Sequence, residues 1–227
     1  MGTIRKRVDT KVFLNGEWWK LFAGLGVKNQ YLIAEKFSEL YADYSGPHRY
    51  YHTPPHIEHC LDEFKPVWRL CKNPMAVKLA LFGHDKFYNV TRKDNELRSA
   101  VWARDMVLEM NFGPHFAWYV YELILATCHK VMPDDCDSQI VVDIDLSSLG
   151  ASWEVFRKNT DDIAREYCEV LNISRKAFNS GRAKFIETML PPNRPYIYCT
   201  DFFRQKYEAR VQENLKRSLK ELQAVRT

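Results

Sequence analysis

Apolar residues recur at three- and four-residue steps along most of the chain, the spacing that lays one side of an α-helix against a core. Trp18, Leu21 and Phe22 begin the pattern, and Tyr31, Ile33, Phe37, Leu40 and Tyr41 continue it. The stretch from Pro55 to Cys71 repeats it through Ile57, Cys60, Leu61, Phe64, Val67 and Leu70. Met75 to His84 is almost wholly apolar and predicts a helix buried on most sides. Further helices are expected near residues 96–111, 115–129, 138–150, 152–171, 174–189 and 200–224, with Asp94 or Asn95 as the cap of the first. Gly46-Pro47, Pro54-Pro55, Gly113-Pro114, Pro133 and Pro191-Pro192 act as punctuation. β-Branched runs are short, so the expected class is all-α. One domain over 1–227 is expected, with a core at about 30–190 and a C-terminal helix at about 200–224 packed on it. Lys206, Glu208, Arg210, Glu213, Lys216, Arg217, Lys220 and Glu221 give that last helix a solvated face.

Composition excludes some classes. Hydrophobic residues at 46% and charged residues at 27% are ordinary for a globular chain and exclude a largely disordered one. The net charge of +4 is too mild to argue for nucleic-acid binding, though it does not oppose a small anionic substrate. Arg5-Lys6-Arg7 and Lys11 are basic, but no groove-reading motif accompanies them. No stretch approaches the ~20 apolar residues of a membrane helix. The apolar run Val12-Phe13-Leu14 breaks at Asn15-Gly16-Glu17, so no secretion signal is expected. Lys6 stands where a myristoylation motif after Gly2 needs Ser or Thr. The six cysteines form no Cys-x-x-Cys pair, and reduced thiols in a cytoplasmic protein are expected.

The chemistry-bearing residues are histidines and aspartates. Four of the seven histidines fall between His48 and His59. His52 and His56 are spaced i, i+4, but Pro54-Pro55 place the helix start after His52, which leaves His52 in the preceding loop. His84-Asp85 ends the most apolar helix, where both side chains need a partner. A divalent metal would supply one, and a buried His–Asp hydrogen bond would supply another. Val141-Val-Asp-Ile-Asp-Leu-Ser-Ser-Leu-Gly150 sets two carboxylates in an apolar stretch. On a helix, Asp145 shares a face with Val142, Leu146 and Leu149, while Asp143 lies roughly 160° away. Asp145 is therefore the preferred remaining ligand, with Asp143 in reserve; one of the pair could instead cap a helix.

The order His56, His84-Asp85, Asp145 resembles the HD superfamily of metal-dependent phosphohydrolases. It is most similar to a branch described only as predicted HD-superfamily phosphohydrolases. Arg49-Tyr50-Tyr51-His52 followed by His56-Ile57, Asp94-Asn95-Glu96 with Ser99-Ala100, Ala126-Thr127-Cys128-His129, and Asp143 to Gly150 match that branch in order. So do Ile197-Tyr198 and Ala209-Arg210 with Asn214-Leu215. Gly83 stands where the branch has an aromatic and is expected to enlarge the pocket. Ala164 stands where the branch has an arginine, so an arginine contact from that position is expected to be missing. The resemblance implies a compact HD-type helical bundle with a metal site among its central helices. It also implies hydrolysis of a phosphate ester or anhydride, of a nucleotide or a related small phosphorylated metabolite.

The expected metal ligands are then His56, His84, Asp85 and Asp145. The ion is divalent, drawn from Mn, Co, Mg, Fe, Ni or Zn, in a number the sequence leaves open. Asp85 doubles as an acceptor for the proton of the attacking water. Glu96 is a candidate acid or base, or a carboxylate that only favours its helix N-terminus. His129 is a candidate for a second metal or a phosphate oxygen, or a helix-end histidine. Arg49, His52, Lys86 and Asn95 are the candidate substrate contacts, a guanidinium suiting phosphate best. His48, His59 and His115 are expected to be structural. The alternative is a metal- and nucleotide-binding module without turnover, and nucleic acid is not expected as a partner. A pyrophosphohydrolase acting on signalling nucleotides fits less well, because Lys86-Phe87-Tyr88-Asn89 lacks the acidic residues such enzymes show after His-Asp. A homo-oligomer is left open.

Overall fold

Capping and proline chemistry set where the helices begin. In the computed structural model, which describes residues 9–224, the first helix, α1 (Thr10–Gly24), starts where Asp9 accepts the amides of Lys11 and Val12. Asn29 does the same for α2 (Gln30–Tyr44). α3 (Pro54–Phe64) and α4 (Pro74–Gly83) each open on proline, whose missing N–H has no partner to lose at that position. α5 spans Asn95–Glu109, and α6 (Pro114–Ala126) follows Gly113 at φ +80°. α7 (Cys136–Leu146) is capped by Asp135, α8 (Trp153–Leu171) by Ser152 and α9 (Arg175–Met189) by Ser174. Asn172, at φ +51°, ends α8 in the left-handed region. A short α10 (Asp201–Phe203) runs through a π turn at Arg204–Glu208 into α11 (Ala209–Ala224). No strand occurs among the described residues, and no helix there is long and apolar enough to cross a membrane. The Arg5-Lys6-Arg7 run, Gly2 and Lys6 lie outside the described residues.

The all-α expectation holds, with differences at helix ends. The pattern from Pro55 to Cys71 breaks after Phe64, because Pro66 has no amide to bond to the preceding turn; a 3₁₀ turn at Trp68–Leu70 follows. The helix expected at 138–150 tightens into a 3₁₀ turn at Ser147–Gly150. Asp94 occupies the cap position of α5, but its carboxylate pairs with Arg92 instead of the helix amides. All six cysteines are free thiols.

α4 is the hub of the core. Ala76, Val77 and every residue from Leu79 to Gly83 are buried, and α4 packs against α1, α3, α5, α6 and α7. Each fully buried Leu or Val there contributes roughly 1.5–3 kcal/mol. Trp18 is also fully buried, donating its indole N–H to the Ile33 carbonyl (2.9 Å) and meeting Phe82 edge-on at 5.1 Å. Asp137 of α7 is buried and accepts the Lys72 and Asn73 amides just before α4, together with the Tyr119 hydroxyl. α11 buries Val211, Asn214, Leu215 and Ser218 and exposes most of its charges. Asn214 donates to the Leu149 and Ala151 carbonyls, which fixes the turn after α7.

Candidate metal centre

The centre is assembled from helix ends. His56 lies in the first turn of α3, His84 and Asp85 follow the end of α4, and Asp145 sits in the last turn of α7. The Nε2 atoms of His56 and His84 are 3.1 Å apart. Asp85 Oδ2 lies 3.2 Å from His84 Nε2 and 3.7 Å from His56 Nε2. Asp145 Oδ1 lies 3.4 Å and 3.5 Å from the same two nitrogens. One donor atom from each of the four residues falls within a 4.8 Å group. Donors bonded to one ion at about 2.0–2.2 Å stand roughly 3–3.6 Å apart, so the set fits a single divalent cation.

Further contacts aim these donors. His84 Nδ1–H donates to the Leu81 carbonyl at 3.0 Å, so in the neutral ring the Nε2 lone pair faces the cluster. His129 Nε2 donates to Asp145 Oδ2 at 2.9 Å, leaving Oδ1 for the cluster. The backbone of His129 is at φ +53°, and its buried Nδ1 has no hydrogen-bond partner. The buried Tyr44 hydroxyl accepts the Asp85 amide at 3.0 Å. Burial opposes charge on Asp85, Asp145 and His84, yet the opposite charges win. Asp85 and Asp145 are held well below the usual carboxylate range, by His84 and His52 for Asp85 and by His129, His56 and His84 for Asp145. His84 is correspondingly raised, its burial outweighed by Asp85 and Asp145. The same two imidazoles face Cys60, whose Sγ lies 3.7 Å from His56 Nε2. Burial pushes that thiol up, so it stays protonated.

Asp85, His129 and Asp145 face a cavity of about 540 Å³. His52 and Glu96 line it too, as the sequence proposed for a site. His52 stacks on Tyr88 (3.9 Å between ring centroids) and donates from Nδ1 to Glu166 at 2.7 Å. Glu166 also accepts the amides of Tyr50, Tyr51 and His52, a nest that suits an anion. Burial works against His52 protonation, but Asp85 and Glu166 outweigh it and raise its pKa.

Five sequence-based assignments are corrected. Asp143 does not reach the cluster: its carboxylate accepts the amides of Cys199 and Thr200 and the Thr200 hydroxyl, on the other side of α7. Arg49 spends its guanidinium on the carbonyls of His52, Asp85 and Lys86, clamping the turn after α4 from outside the cavity. Lys86 is buried between Glu39 and Asp43 of α2 and points away from the cavity. Asn95 exchanges hydrogen bonds with Asn89 and closes the loop before α5. Gly83 does not enlarge the pocket, because its open side faces Ile124, Trp102 and Ala103 at the α5 and α6 packing surface. Of the three histidines taken as structural, His59 meets the Ser147 hydroxyl at 2.8 Å.

Sequence reasoning missed Tyr51, Tyr88, Ser148, Glu166 and Arg182. Glu166 had a signal, standing two positions after Ala164, the site of the missing arginine. Ala164 itself is buried, and the cavity's guanidinium comes from Arg182 of α9. No protein-family model, curated protein or solved structure matches this chain. The fold and site define an all-helical protein with a candidate centre for one metal ion.

Proposed function

We propose that the protein is a metal-dependent phosphohydrolase of the HD type. Its substrate is a phosphate ester or anhydride, a nucleotide or a related small phosphorylated metabolite. The observation that carries this proposal is the meeting of two buried imidazole nitrogens and two carboxylates at ligand spacing, with the carboxylates of Asp85 and Asp145 on the wall of one cavity. The order of His56, His84-Asp85 and Asp145 along the chain supports it. A cytoplasmic setting belongs to the same proposal, as does the choice of ion among Mn, Co, Mg, Fe, Ni and Zn.

When bound, the divalent cation supplies Lewis acidity and a water of lowered pKa. His56, His84, Asp85 and Asp145 would hold it. Asp85, kept ionised and open to the cavity, accepts the proton of the attacking water. His129 fixes Asp145 by holding its second oxygen. His52, anchored by Glu166 and with its pKa raised by Asp85 and Glu166 against its burial, presents its ring to the same cavity, where it donates to a phosphoryl or leaving-group oxygen. Glu96 is the second acid–base candidate on that wall.

The test is to purify the chain without chelator, measure its bound metals, and assay phosphate release from a nucleotide panel with manganese, cobalt or magnesium. The control carries His84→Ala with Asp85→Ala. Metal and phosphate release are both expected, and both are expected to vanish in the control. Metal without turnover on any phosphorylated substrate would favour the binding module. No metal in either protein would sink the proposal and leave His84-Asp85 a structural pair.

A further inference from the structure

Arg182 projects from α9 into the wall of the same cavity. Its guanidinium lies over the Phe185 ring at 4.9 Å, and its buried Nε has no hydrogen-bond partner. Among the described residues it forms no ion pair, although Asp85, Glu96 and Asp145 line the same space. Burial lowers its pKa, and the hydroxyls of Tyr51 and Tyr167 are the groups that act against that shift. A guanidinium stays protonated at any working pH. Arg182 is half-buried, and a cation partly withdrawn from water without a counter-charge is costly, so proteins keep one where something else supplies the anion.

Tyr51 links Arg182 to the candidate metal centre, its ring lying 5.0 Å from that of His56. The rest of the cavity has another character. Phe156, Ile163 and Tyr167 of α8 face Phe178 and Phe185 of α9, with Asn159 and Thr160 of α8 among them. An aromatic or apolar group would bury against the four aromatic rings of that wall. The volume suits one small molecule.

We propose that Arg182 binds a phosphoryl group of the substrate opposite the metal ligands, and that the α8 and α9 wall takes a ring-bearing or apolar organic half. This rests on the phosphohydrolase proposal for the nature of the anion. The guanidinium fork matches two phosphoryl oxygens at once, which an ammonium does not.

The test uses the full chain loaded with manganese and two ligands that resist hydrolysis, methylphosphonate and phenylphosphonate, titrated by calorimetry. Both are expected to bind, phenylphosphonate more tightly by about tenfold or more. Arg182→Met is expected to weaken both by about tenfold or more, and Arg182→Lys to weaken them less. The melting temperature of Arg182→Met should change by little, since the guanidinium has no ion pair to lose and only its contact with the Phe185 ring goes. Unchanged phosphonate affinity in Arg182→Met would overturn the inference, and so would a melting temperature lowered by many degrees. Equal affinity for the two phosphonates would overturn the ring-binding part. If the protein takes up no manganese yet binds phosphonates through Arg182, the hydrolase proposal fails and the anion site stands. Manganese uptake and phosphate release with unaltered binding in Arg182→Met would mean the reverse.

Discussion

Asp143 and Asp145 stand two positions apart on α7, and a helix turns neighbours at that spacing to different sides. Asp145 faces His56 and His84, while Asp143 holds the chain entering α10. Their variants should therefore separate metal from stability. Asp145→Ala is expected to bring bound metal to background in a protein that still folds. Asp143→Ala is expected to keep its metal but lose about 2–4 kcal/mol, because one buried and two part-buried donors lose their acceptor. Elemental analysis and urea unfolding on the same samples decide it, and a stable Asp143→Ala protein without metal would reverse the assignment. Cys60 gives a second residue-level expectation. Its protonated thiol is a poor ligand, so Cys60→Ala should bind the metal with affinity within a few-fold of the parent. A large loss would make sulfur part of the centre. Asp145 was legible in the sequence because it shares its helix face with Val142, Leu146 and Leu149. Lys86 was not, because the direction of a long side chain depends on which carboxylates another helix brings near. Glu39 and Asp43 of α2 decide it here.

At the scale of elements, the helices were legible because each buries a stripe with helical spacing, and the prolines and capping residues mark most of the starts. Their ends were less so: Pro66 cuts α3 short, and α7 tightens at Ser147. The convergence of α3, α4 and α7 could not be read from periodicity, which says that a face is buried but not against what. Two carboxylates hold elements together across that arrangement. Asp137 ties α7 to the start of α4, and Asp137→Ala is expected to cost about 3 kcal/mol in urea unfolding while leaving metal affinity unchanged. Glu166 ties α8 to the loop before α3, and its pKa is depressed from 4.5 to about 2, its burial outweighed by His52 and the loop amides. A depressed carboxylate stabilises the fold above its unfolded pKa, and that contribution fades as the pH falls from about 4.5 towards 2. His52 is raised from 6.5, so its share is full below 6.5 and is lost as the pH rises through its folded value. The stability difference between the parent and Glu166→Gln should therefore be greatest between about pH 4.5 and 6.5, shrinking on both sides. A difference that stays flat from pH 3 to 8 would remove the ion pair from the account.

Across the whole molecule, the four candidate ligands come from positions 56, 84, 85 and 145 and meet only in the folded chain. An ion bound there favours the native state alone, by about 2.7 kcal/mol when free metal is a hundredfold above its dissociation constant. In a chain of this size that corresponds to a melting temperature higher by about 5–10 °C. Without the ion, Asp85 and Asp145 raise the His84 pKa against its burial, so a metal binding at its Nε2 competes with a proton there. Two linked results are expected from one titration series. Chelator should lower the melting temperature by that amount, and readdition should restore it. Metal affinity should also rise with pH through neutrality, with proton release visible as a buffer-dependent heat of binding. His84→Ala with Asp85→Ala should be insensitive to chelator and release no proton. The cluster would be a hydrogen-bonded structural group if the parent's melting temperature ignored both chelator and added metal, because a site built from three helices cannot bind an ion tightly without stabilising their assembly.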